Sequence, residues 1–113
     1  MDKNITMPAQ VAEAIQEFSD RVKSQLQDNL IEIRLYGSTA RGMYTPDSDI
    51  DILVVVKDKS NKVWHAIHDI AFDVGFERDL LLSVIVDSEE EQRYPLFQET
   101  LFYKNLQKEG IVL

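Results

Sequence analysis

Apolar residues recur early in the chain as Val11, Ile15, Phe18, Val22 and Leu26, at steps of four, three, four and four. That period puts them on one face of an amphipathic α-helix of about five turns. Thr6 or Pro8 can start it, since proline is tolerated in the first helical turn. The period then shortens. From Leu30 to Tyr36, Ile31, Ile33 and Leu35 alternate with Glu32 and Arg34, which predicts a strand ended by Gly37. Residues 38–43 predict one or two helical turns and residues 44–48 a turn-rich connection. Ile50 to Val56 is almost continuously apolar and β-branched, the pattern of a strand covered on both faces.

After a polar turn, Val63, Ile67, Ile70 or Ala71, and Val74 mark a second amphipathic helix, with Gly75 as its expected end. Leu80 to Val86 predicts a third strand. Ser88-Glu89-Glu90-Glu91 has the form of a capping box, and its carboxylates suit a helix N-terminus. A last helical region follows, either kinked or restarted by Pro95, with Phe97, Leu101 and Leu106 expected to face inward. The order α, β, β, α, β, α predicts an α+β fold, a small three-stranded mixed sheet packed with about four helices.

Composition narrows the function. At 113 residues the chain is expected to be a single domain spanning residues 1–113. It has no cysteine, which excludes disulfides, thiolate metal sites and cysteine nucleophiles. No apolar run approaches the ~20 residues of a membrane span. Met1-Asp2-Lys3-Asn4 lacks the features of a secretory signal, so a soluble cytoplasmic domain is expected. The net charge is −8, without a Lys/Arg cluster. Because nucleic acid is gripped chiefly by neutralising its phosphates, direct nucleic-acid binding is not expected. A small nucleotide delivered with a divalent cation, and a protein partner with a basic face, both fit this charge.

The chemistry concentrates between the first two strands, in Gly37-Ser38-Thr39-Ala40-Arg41-Gly42 and Pro46-Asp47-Ser48-Asp49-Ile50-Asp51. Asp49 and Asp51 stand two residues apart at a strand start, so their carboxylates share a face. Such a pair repels itself unless a cation lies between, and hard oxygen ligands suit Mg²⁺ or Mn²⁺ completed by phosphate oxygens and water. Gly37 lets the backbone approach a phosphate, Ser38 adds a hydroxyl and an N–H at an expected helix start, and Arg41 can reach a phosphate or orient an aspartate. Alone, the Gly-Ser pair is a turn and Asp-x-Asp a solvated strand end; together, between two strands, they form a specific pattern. Residues 47–51 also have the opening of a calcium loop, but Ile52 stands where such a loop needs glycine.

Residues 35–56 resemble the signature of the DNA polymerase β-like nucleotidyltransferase superfamily, and the short chain resembles its minimal members. The resemblance implies a magnesium-dependent transfer of a nucleoside monophosphate from a nucleoside triphosphate such as ATP to a hydroxyl. It also implies an antitoxin role beside a HEPN-domain toxin, with AMP added to a tyrosine of that partner. A non-catalytic module that neutralises the toxin by complex formation is the alternative.

One departure bears on that choice. The superfamily uses a third carboxylate on a later strand, and the position here is Ser83, a neutral hydroxyl. Asp79 and Asp87 have the same parity but lie roughly 13 Å along an ideal strand; Asp79 is expected at the strand's start and Asp87 in the turn before the Ser88 cap, with a third-acid role for Asp87 kept open. His65 and His68 have a chelating spacing but lack a third ligand nearby. Tyr36 is expected to pack near the site, and Tyr44 to form a wall or stack on a base. Trp64, Phe72 and Phe76 are expected in the core or an interface. Apolar faces around Phe97, Leu101, Phe102 and Tyr103 suggest a hetero-oligomer or a homodimer.

Overall fold

A computed structural model describes residues 7–113. Helix α1 spans Ala9–Leu26 and buries Val11, Ala14, Ile15, Phe18 and Val22 along one stripe. Pro8 precedes it and its carbonyl accepts from the amides of Val11 and Ala12; Thr6, the other predicted start, and Met1–Asn4 lie outside the described residues. A 3₁₀ turn at Gln27–Asn29 leads into β1, Leu30–Tyr36. There follow α2 (Gly37–Ala40), β2 (Ile50–Val56), α3 (Asn61–Arg78) and β3 (Leu82–Ser88). The chain closes with α4 (Glu89–Arg93), α5 (Pro95–Gln98), α6 (Leu101–Glu109) and a two-residue β4, Ile111–Val112.

The fold is α+β, with a mixed sheet ordered β3-β2-β1-β4. The β1 pairings with β2 and β4 are antiparallel; β2 and β3 run parallel. The sheet thus has four strands rather than the expected three. Strand β4 is too short for any periodicity to show, and it is held by pairing Leu35 with Ile111 and by the Leu113 amide donating to the Ile33 carbonyl.

Register sorts the strand residues onto two faces, since paired residues share a face. Ile33 and Leu35, Ile52 and Val54, and Val84 and Val86 point one way and pack with α1 and α3 in the main core. Arg34 and Tyr36, Asp51, Leu53 and Val55, and Ser83 and Asp87 point the other way. There Leu53, Val55 and Leu106 form a second, smaller cluster under α6, flanked by Tyr36 and Phe102. Burying one such branched or aromatic side chain stabilises by about 1.5–3 kcal/mol, so the larger cluster dominates the fold.

Several local expectations are corrected. Ile31 is exposed rather than inward, because the β1–β2 register shifts between Leu30 and Glu32 and a bulge moves a side chain to the other face. Gly75 does not end α3, which runs on to Arg78 and stops at Asp79 in the left-handed conformation, φ 53°. Gly75 instead serves packing: a Cβ there would run into the Leu80 carbonyl. Asp79 accordingly caps a helix and does not begin β3. Leu101 faces solvent. Pro95 starts α5, and the Ser88–Glu91 capping box forms, with the Glu91 amide donating to Ser88 Oγ at 3.0 Å.

Candidate active site

The chain reverses from β1 into β2 at one end of the sheet, and the residues singled out by sequence gather there. Tyr36 is the last residue of β1 and pairs with Asp51, the second of β2. Gly37 follows with φ +73°, a conformation that glycine adopts freely. Its main chain lies so close to Asp51 that a Cβ would overlap the Asp51 carboxylate. A side chain at Gly37 would thus be strained by the backbone and would force the Asp51 carboxylate to shift. Ser38 sits in the first turn of α2, half-buried, and its carbonyl accepts from the Met43 amide at 2.8 Å.

Asp49, exposed, immediately precedes β2, and Asp51 is half-buried within it. Burial pushes the Asp51 carboxyl above its ordinary value, the Asp49 charge pushes it further, and Arg41 opposes both. Two carboxylates in this relation are poised for a cation, which would remove both penalties at once. The donor set fits a hard divalent ion with two protein carboxylates and open positions for phosphate and water. Among the described residues, no cluster of three or more His, Cys, Asp or Glu side chains forms a complete metal site.

Arg41 closes α2, and its guanidinium reaches Glu109 of α6 at 3.2 Å. It stands at the rim of a small cavity of about 110 Å³ shared with Tyr36, Gly37, Phe102, Asn105 and Glu109. The guanidinium thus contacts α6 and remains near enough to Asp51 to lower that carboxyl.

Ser83 pairs in register with Asp51 across the parallel β2–β3 ladder. A neutral hydroxyl therefore stands beside Asp51 on the face that carries the carboxylates. Asp87 pairs with Val55 instead, four residues further on, about 13 Å along the strand. It lies inside β3, not in a turn, and accepts from Gln92 Nε2 at 2.8 Å. Burial raises its carboxyl as well. The structure does not bring Asp87 to Asp49 and Asp51.

Tyr36 was legible only as packing, yet it has an electrostatic position of its own. Burial pushes its hydroxyl up to about 12, and the charges of Asp51 and Asp87 add to the rise. It remains a protonated donor on the carboxylate face, with its ring edge-on to Phe102 at 5.5 Å between centroids. Its place directly before Gly37 is the only sequence signal for this. Tyr44 is half-buried against the main core, a wall residue. His68 is not a metal ligand paired with His65: its two ring nitrogens lie 2.9 Å from the Trp64 carbonyl and 3.2 Å from the Val84 carbonyl.

Comparison with known proteins gives this geometry a family. The sequence profile of the nucleotidyltransferase domain matches residues 15–112. A Methanocaldococcus jannaschii protein, "Putative protein adenylyltransferase MJ0604", is 35% identical over 103 residues, covering 88% of this chain and 94% of that protein. Among solved structures, one described as a minimal nucleotidyltransferase superposes with a TM-score of 0.61 at 19% identity, over 99% of this chain and 100% of the other. A chain from a toxin–antitoxin crystal structure with AMP-PNP gives a TM-score of 0.55 at 20% identity, over 84% of this chain and 68% of that one. At such identities the structural likeness is one of fold. The family match spans both core faces and the β1–β2 reversal, and the chain belongs to the nucleotidyltransferase domain family.

Proposed function

We propose that the chain transfers AMP from ATP to a hydroxyl of a partner protein, as the antitoxin of a toxin–antitoxin pair, with a tyrosine of a HEPN-type toxin as acceptor. The observation that carries this reading is the packing of Gly37 main chain against the Asp51 carboxylate, with Asp49 beside it. It joins a phosphate-sized approach and a cation site at one point of the sheet. The names of the curated relatives and the toxin–antitoxin fold neighbour support the acceptor class.

In this reading Asp49 and Asp51 hold Mg²⁺ or Mn²⁺, Gly37 and Ser38 accommodate the triphosphate, and Arg41 contributes positive charge. When bound, the ion would offset charge on the phosphates and on the attacking oxygen. The acceptor oxygen forms a bond to the α-phosphorus, the bond to the β-phosphate oxygen breaks, and pyrophosphate leaves. The acceptor proton must go to a carboxylate or to water. Ser83 can donate or accept a hydrogen bond there but cannot take that proton at neutral pH, so turnover is slow compared with a three-carboxylate site.

The Ser83 hydroxyl also favours a second reading, in which the chain binds nucleotide and neutralises its partner by occlusion. Co-expression with a HEPN-type toxin, followed by intact-mass analysis, separates the two. The transfer reading expects one or more AMP units on the partner, lost in Asp49→Asn/Asp51→Asn. An unmodified partner that is still neutralised by that variant supports occlusion and overturns transfer.

A further inference from the structure

Helix α3 buries Ile67, Ile70, Ala71 and Val74 against the sheet. On its outer side Trp64, His68, Phe72 and Phe76 follow at every fourth residue. Trp64 stacks on His68 with centroids 3.8 Å apart, and Phe72 on Phe76 at 5.7 Å. The two phenylalanines are 68% and 77% exposed. A groove of about 360 Å³ separates this stripe from Leu80–Leu82. Beyond it, just before the edge strand β3, exposed Leu81 lines the same groove and extends the apolar surface. All of this is on the side of the sheet opposite Asp51.

Charge along α3 selects what covers the stripe. One flank carries Lys62 and His65 in its N-terminal half and Asp69, Asp73 and Glu77 in its C-terminal half. The helix dipole, positive at its N-terminus, runs in the same order, so an antiparallel neighbour meets both with opposite sign. A second α3 laid antiparallel therefore sets Lys62 and His65 of each copy against Asp73 and Glu77 of the other. Arg21 already meets Asp73 at 3.3 Å and Arg78 lies 3.7 Å from Glu77, but the two carboxylates stay 56% and 64% exposed, so these pairs are weak. Rows spaced by four on both helices interlock at a crossing angle near −50°. The exposed parts of Trp64, Phe72, Phe76 and Leu81 offer roughly 500 Å² per copy, so about 1,000 Å² per pair, the size at which a specific interface begins.

We propose that this surface is a two-fold homodimer interface, with α3 packed antiparallel on α3 of a second copy and Trp64 of each covering the groove beside Phe76 and Leu81 of the other. The arrangement leaves the carboxylate face open to an acceptor. It also brings Asp69 near its own counterpart across the two-fold axis, which is the one like-charge contact it creates. That contact distinguishes a second copy from a basic partner.

Sedimentation equilibrium of the full chain over about 1–200 µM tests it, the range in which micromolar self-association is read. The wild-type mass should approach twice the 13.0 kDa of one chain. Phe72→Ser/Phe76→Ser should remain at one chain throughout with an unchanged circular dichroism spectrum, and Asp69→Asn should tighten the dimer several-fold. A wild-type chain that stays at 13.0 kDa at the top of the range overturns the proposal. So does a dimer unaffected by the double serine variant, or one weakened by Asp69→Asn.

Discussion

The two faces of the sheet are built from the same three long strands and do opposite work. Toward α1 and α3, Ile33, Leu35, Ile52, Val54 and Val56 are closed off completely. Toward α6, the same strands present Tyr36, Asp51, Ser83 and Asp87, with only Leu53, Val55 and Leu106 as buried apolar support. The first face stores stability. The second gives some up, because two of its carboxyls are partly buried and raised, and a buried charge without a partner costs free energy. In the proposed reading, a cation at Asp51 would offset the penalty there, whereas Asp87 has only its bond from Gln92.

Substitutions should separate the faces. Phe18→Ala, in the closed core, should cost about 3–5 kcal/mol and be read as a lowered denaturant midpoint. The Asp49→Asn/Asp51→Asn variant should fold normally but lose AMP transfer by about 10²-fold or more, measured by pyrophosphate release. In the opposite sense, Ser83→Asp restores a carboxylate beside Asp51 and should raise the transfer rate about tenfold or more, within the range of general-base assistance.

The smallest expected effect is on stability against pH, and its sign is fixed by the direction of the shifts. Asp51 binds its proton more readily in the folded chain than at its ordinary value of 3.8. The folded state therefore binds more protons than the unfolded state in the window just above that value, and stability falls as pH rises through it. Asp51→Asn and Asp87→Asn should each raise the unfolding temperature at neutral pH. Mn²⁺ should add a further increase in Asp87→Asn and none in Asp51→Asn, since only Asp51 faces the proposed cation. Equal rescue of both would erase the distinction between the two carboxyls.

Long, strongly periodic elements were legible in the sequence: the α1 stripe, β1 and β2 appear at their expected places, since the burial that drives them is written into the residue spacing. The place of Ser83 beside Asp51 was implied by the family resemblance and is matched by the parallel register. What was not legible depends on tertiary contact. The bulge that turns Ile31 outward, the carbonyl that requires Gly75 inside a helix, and the two-residue β4 leave no local pattern. Asp87 looked like a turn residue because its neighbours cap a helix, whereas parallel pairing extends β3 through Ser88. Phe72 and Phe76 were read by hydrophobicity alone, which cannot say that α3 turns them to solvent.

The most direct test of the central claim is calorimetric titration of the chain with Mg-ATP. The account predicts one site per chain, weakened at least about tenfold, or 1.4 kcal/mol, in Asp49→Asn/Asp51→Asn and dependent on the divalent ion. Equal affinity of wild type and that variant, or binding indifferent to the metal, would contradict it.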